Sequence, residues 1–139
     1  MFNPNTTIKN IVSNPTTNAL LSLIGRLLLV YLFIVSGWQK IGGYDGVVGY
    51  MESVGLPPAL LPFTILLEVG GSIAVIVGFQ TRLVAFFFAA FALISAFVFH
   101  TAPEDALNFM KNFSIGGGFI FLMLHGAGAW SLDGLTEKK

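Results

Sequence analysis

"PFTILLEVGGSIAVIVG", residues 62–78, is almost wholly apolar except for one carboxylate, Glu68, set near its middle. A bilayer crossing takes about 20 predominantly apolar residues in a helix, and this stretch approaches that length. A charge at the centre of an isolated span costs at least a few kcal/mol, so Glu68 should face the interior of a bundle and find a partner there. The stretch therefore reads as one helix of a polytopic membrane protein.

Working outward, the run extends to about 59–78, and three more stretches have comparable length: 19–38, 82–100 and 113–130. The chain is 55 % hydrophobic and only 10 % charged over 139 residues, far from the balance of a soluble globule. The spans use more than half of it and leave no segment able to bury a separate water-soluble core. The expected fold is all-α: a membrane four-helix bundle over 19–130, with a polar tail at 1–18 and a short tail at 131–139, both cytoplasmic. The polar start does not resemble a secretory leader, so the first span is expected to be retained.

The connections set the order. "GFQTR", residues 78–82, is so short that spans two and three must be antiparallel neighbours. The two loops on the opposite, non-cytoplasmic side are longer. In residues 40–58, Tyr44, Val47, Val48 and Met51 recur at helical spacing, which predicts a short interfacial helix. In residues 101–112, Thr101 and Glu104 have capping-box spacing with Pro103 between them, which predicts a second. Lys9, Arg82, Lys138 and Lys139 lie toward the terminal side, against Lys40 and Lys111 on the other, so the termini are assigned to the cytoplasm.

The chain has no cysteine, which removes disulfides, thiolate metal sites and iron–sulfur clusters. Any redox role must then borrow its electron carrier. Seven cationic residues balance seven anionic ones without a basic run, which argues against nucleic acid as a partner. His100 and His125 fall toward opposite sides of a bilayer about 30 Å thick, so one haem iron cannot take both, and no metal site is expected.

The chemistry is concentrated in a few polar positions. Ser22, Arg26, Phe33, Gly37 and Lys40 share a stripe on span one; Thr64, Glu68, Gly71, Ser72, Val75 and Gly78 share one on span two. Helix rise puts Arg26 roughly 10 Å and Glu68 roughly 15 Å from the terminal-side ends of their spans, which predicts a direct Arg26–Glu68 ion pair. Such a pair serves either as a helix-registering contact or as a ligand-binding or proton-handling centre. Lys40 sits at the far end of the same stripe and suits an anionic group, although a snorkelling lysine needs no function. On span three, Ala85, Ala89, Ala92 and Ala96 form a packing stripe. On span four, Ser114, Gly118, Phe121, His125 and Gly128 share a face, with His125 a bundle residue open to proton exchange or quinone contact.

The landmarks "GRLLLVYLFIVSGWQKIGG", "VGLPP", "LLEVGGSIAVIVGFQTR", "KNFSIGGG" and "HGAGAWSLD" follow one another in an order that resembles the DoxX family of small four-helix membrane proteins. The resemblance implies a bacterial inner-membrane protein, and a family in which some members are membrane subunits of oxidoreductase complexes. Arg26, Lys40 and Glu68 match the family's recurrent charged sites; Gly37, Gly70, Gly71 and Gly78 match its glycines; Ser131 and Asp133 match its closing motif. Ala127 and Ala129 stand where proline and a basic residue often occur. No catalytic residue is assigned by this resemblance. The expected role is a membrane anchor or quinone-facing subunit, with a quinone as the candidate ligand and with the lipid bilayer and a cofactor-bearing redox protein as partners. The alternatives are a homo-oligomeric small-molecule binding or transport module, and a structural partner without chemistry.

Overall fold

The computed structural model describes residues 1–137; Lys138 and Lys139, two of the cations counted toward the terminal side, lie outside the described residues. Helix starts are written early in the chain. Asn3 accepts a hydrogen bond from the Asn5 amide with Pro4 in the first turn, which opens α1 (Pro4–Ser13). The same Asn-Pro device recurs at Asn14, whose side chain accepts from the Thr16 and Thr17 amides and opens α2 (Pro15–Gly42). Residues 1–18, expected as a polar tail, are therefore largely helical.

After Gly43 the short helix α3 (Tyr44–Ser53) forms as expected and buries Met51. Span two is composite: α4 (Leu60–Ile65), a π-helical segment (Leu66–Gly71) and α5 (Ser72–Val77), ended by Gly78 in the left-handed region at φ 72°. The tight turn through Gln80, itself at φ 49°, leads into α6 (Thr81–Phe99).

The second loop departs from expectation. Thr101 caps nothing: the residue before the helical turn is Ala102, Pro103 takes the first helical position, and Thr101 therefore stands one residue too early. What forms is a single 3-10 turn (Pro103–Asp105) that runs straight on into α7 (Ala106–His125). Span four also ends at His125 rather than at residue 130, because Gly126 (φ 76°) and Gly128 (φ 89°) take left-handed conformations that turn the chain out of the helix. The residues that follow fold back across the terminal end of the bundle and close on α8 (Leu132–Thr136).

Among the described residues, four helices are long and apolar enough to cross a membrane: Pro15–Gly42, Leu60–Val77, Thr81–Phe99 and Pro103–His125. Large side chains such as Leu28, Phe63, Leu66, Ile94, Phe97 and Phe121 are each at least 60 % exposed on their outer faces. Hydrocarbon accepts such a girdle, whereas water would not. The interior is small. Phe88 stacks on Phe119 with ring centroids 4.7 Å apart, Phe33 packs at 4.9 Å from Phe88, and Val30, Val75, Ala85 and Ala89 fill around them. The expected alanine stripe of α6 is buried at all four positions, Ala85, Ala89, Ala92 and Ala96. The aromatic cluster separates two polar regions, one toward the terminal end and one toward the loop end.

Candidate functional site

Glu68 is buried, at 1 % exposure, but its partner is not Arg26. Lys40 Nζ donates to Glu68 Oε1 at 2.7 Å and to Ser36 Oγ at 2.7 Å. Arg26, also 1 % exposed, donates from Nη1 to the carbonyls of Val75 (2.9 Å) and Ile76 (2.7 Å) and from Nη2 to that of Trp130 (2.7 Å). The expected Arg26–Glu68 pair is thus replaced by two separate arrangements.

Side-chain direction explains the exchange. Helical side chains lean toward the N-terminus of their own helix. Arg26 therefore leans toward the terminal end of the bundle, while Glu68, on the antiparallel span, leans toward the loop end. The two diverge across the seven residues from Glu68 to Val75, about 10 Å of helix. Lys40, at the end of α2, leans back into the bundle and meets Glu68 on the way. Arg26 instead meets two carbonyls in the last turn of α5, which carry the negative end of the helix dipole; that of Val75 accepts from the Gly78 amide as well.

Close backbone approach holds the acid in place. A Cβ on Gly37 would lie 2.8 Å from Glu68 Cβ and 2.7 Å from Val69 Cγ2, so only glycine lets α2 reach the π-helical segment. Gly71 packs under Phe88, whose ring would lie 3.0 Å from an added Cβ; Gly70 has ordinary space. Ser72, buried one turn on, donates its hydroxyl to the Glu68 carbonyl.

The Lys40–Glu68 pair stands in the wall of a pocket of about 630 Å³ at the loop end, between α2, α3, span two and α6. Its lining is mainly apolar and aromatic, with Phe33, Met51, Leu61, Phe91 and Phe99, and it includes Ser36, Thr64, Ser95 and His100. A lysine ammonium has three donors. Two are engaged by Glu68 and Ser36, and Lys40 retains 25 % side-chain exposure on the pocket wall.

The terminal end is a closed joint. Asp133 accepts from the Gln80 and Thr81 amides, both at 2.8 Å, and so caps α6, while its own amide donates to the Gly78 carbonyl at 2.7 Å. Ser131 Oγ takes the Gly134 amide at 2.9 Å and donates to the Gly128 carbonyl. Gly78 has no space for a side chain, since its Cβ would lie 2.1 Å from that of Ser131. Arg82 closes α7 by donating to the Met123 and Leu124 carbonyls.

Of the sequence-predicted site residues, Lys40 and Glu68 come together, with Gly37 beside them. Arg26 joins Gly78, Ser131 and Asp133 at the other end of the bundle. His125 belongs to neither group: it is exposed on the outer face of α7, stacked on Phe121 at 6.1 Å. The face that α7 buries carries Gly116 and Phe119 instead of the expected Ser114, Phe121 and His125. Ser36 was missed, although its position four residues before Lys40 on one helix face is a readable signal.

Four membrane-length helices, a short loop helix and these buried charges define a small polytopic membrane protein, and the chain belongs to the DoxX family, whose sequence model matches residues 21–101. It is 48 % identical over 120 residues to inner membrane protein YqjF of Escherichia coli K12, covering 84 % of this chain and 92 % of that protein. Over 123 residues it is 37 % identical to inner membrane protein YphA of the same organism, covering 81 % of this chain and 88 % of that protein. The chain is accordingly a multi-pass inner membrane protein. No solved structure matches it.

Proposed function

We propose that the protein binds a lipophilic, carbonyl-bearing molecule of the quinone class in the loop-end pocket and serves as the quinone-facing membrane subunit of an oxidoreductase. One observation carries this reading: an ion pair with a spare cationic donor stands in the wall of an otherwise apolar, aromatic pocket. That is the composition of a small-molecule site, mostly apolar with a few placed polar groups.

The residues suit such a ligand. Phe33, Phe91 and Phe99 offer apolar and aromatic surface to a ring. The free donor of Lys40 would meet a carbonyl oxygen and stabilise negative charge developing there, an effect magnified where water is excluded. Glu68 and Ser36 hold the ammonium in position, and the Glu68 carboxylate is close enough to it to exchange a proton. A bound quinone would supply two-electron carrier chemistry, and a cofactor-bearing partner would exchange those electrons. With the termini cytoplasmic, as the lysine and arginine count favours, the pocket opens in the outer half of the membrane.

The test is mass spectrometry of small molecules and protein chains carried through mild detergent purification, followed by titration with short-chain ubiquinone. Quinone retained by the wild type and lost from Lys40→Met supports the reading, and a copurifying cofactor-bearing chain supports the subunit role. A protein that carries no quinone and binds none on titration contradicts it.

A further inference from the structure

His100 ends α6 and lines the same pocket as Lys40 and Glu68. Its Nδ1 is engaged by Asp105 Oδ2, and Asp105 Oδ1 accepts from Asn108 Nδ2 at 2.6 Å, so the carboxylate is itself held in place from the first turn of α7. An ionised carboxylate only accepts, so it binds the imidazole through Nδ1–H. In the neutral ring this leaves Nε2 as a lone-pair acceptor, the arrangement by which a carboxylate selects a histidine tautomer and orients the ring. Nε2 makes no hydrogen bond among the described residues. His100 lines this pocket and also a smaller one beside Phe97 and Phe109, and Nε2 is the ring nitrogen it has free to present as an acceptor, opposite in sense to the donor at Lys40.

We infer that this pocket selects a ligand presenting both a hydrogen-bond acceptor, for Lys40, and a hydroxyl donor, for His100 Nε2, and so favours the reduced, dihydroxy form of a quinone over the oxidised form. The inference rests on the quinone-class reading above and deepens it. An oxidised quinone carries carbonyl acceptors only: it satisfies Lys40 and leaves Nε2 facing an oxygen. A quinol satisfies both, because a phenolic hydroxyl donates and accepts.

The experiment measures binding of short-chain ubiquinol and ubiquinone to the purified full-length protein under anaerobic conditions. One hydrogen bond to a neutral group made by one form alone is worth roughly a tenfold difference in affinity. The wild type is expected to prefer quinol by about that factor. His100→Leu is expected to bind the two forms equally. Equal binding of the two forms by the wild type overturns this inference and leaves the quinone-class reading standing; binding of neither form overturns both. Should His100→Leu fail to accumulate, nitrogen-15 spectra of the wild type decide, since the chain has only two histidines. An Nδ1–H tautomer whose Nε2 resonance moves on adding quinol but not quinone supports the inference, and an Nε2–H tautomer refutes it.

Discussion

Lys40 Nζ lies 2.7 Å from Glu68 Oε1, and the carboxylate it meets is 1 % exposed. These residues come from opposite-running spans, and each side chain leans along its own helix toward the other. Arg26 shares the stripe of Lys40 on α2 but reaches the opposite end of span two, so the first two spans carry two independent polar joints, one at each end of the bundle.

The terminal joint depends on the guanidinium fork. Arg26 reaches three carbonyls on two segments, and a lysine has one nitrogen with which to replace two. Arg26→Lys is expected to lower stability by about 2–3 kcal/mol, the worth of one or two charged hydrogen bonds. Unfolding in mixed micelles measures it. The pocket lies at the other end, so ligand affinity among the folded molecules should stay within about twofold of wild type, an additivity expected of sites without shared partners.

Asp133 caps α6 from a segment more than fifty residues away in sequence, accepting from both Gln80 and Thr81. Asp133→Ala removes both acceptors and is expected to cost about 1–2 kcal/mol, as loss of an N-cap does. Asp133→Asn keeps one acceptor oxygen and should lose less. Amide exchange at Gln80 and Thr81 should rise in the alanine variant before exchange at the Phe88 level of the core does.

Glycines on one helix should separate by their surroundings. Gly37→Ala places a methyl 2.8 Å from Glu68 Cβ, so the π-helical segment must move away, at about 1–3 kcal/mol, with weakened ligand binding. Gly25, on the same helix, has nothing within 4 Å of where a Cβ would stand, and Gly25→Ala should be neutral or stabilising by up to about 1 kcal/mol. Thermal melts of the two variants in one detergent make the comparison.

Much of this was legible in the sequence, for reasons that differ by feature. Hydropathy and length gave the four spans, and helical spacing gave the buried faces of α2, span two and α6. Asn3-Pro4 and Asn14-Pro15 announced helix starts within a segment expected as a tail. Rise along the axis alone suggested Arg26 for Glu68, because it ignores the direction in which side chains lean; adding that direction would have selected Lys40. The π-helical segment gives no clear signal beyond the Gly70-Gly71 pair. Ser114, Gly118, Phe121 and His125 do share a stripe on α7, but spacing alone does not say which stripe faces the bundle, and the buried one carries Gly116 and Phe119; Gly128 lies beyond Gly126, where the backbone has already left the helix. The His100–Asp105 contact crosses a loop and a 3-10 turn, and so lies outside any single-helix periodicity.

The most direct test of the pocket's architecture is a pair of double-mutant cycles on unfolding free energy, one coupling Lys40→Met with Glu68→Gln and the other coupling Arg26→Lys with Glu68→Gln. Residues in direct contact couple by about 0.5–3 kcal/mol, whereas separate sites add within about 0.5 kcal/mol. The expected result is coupling between positions 40 and 68 within the first range and additivity between 26 and 68. Strong coupling of Arg26 to Glu68, with Lys40 additive, would contradict the Lys40–Glu68 pair and the pocket chemistry built upon it.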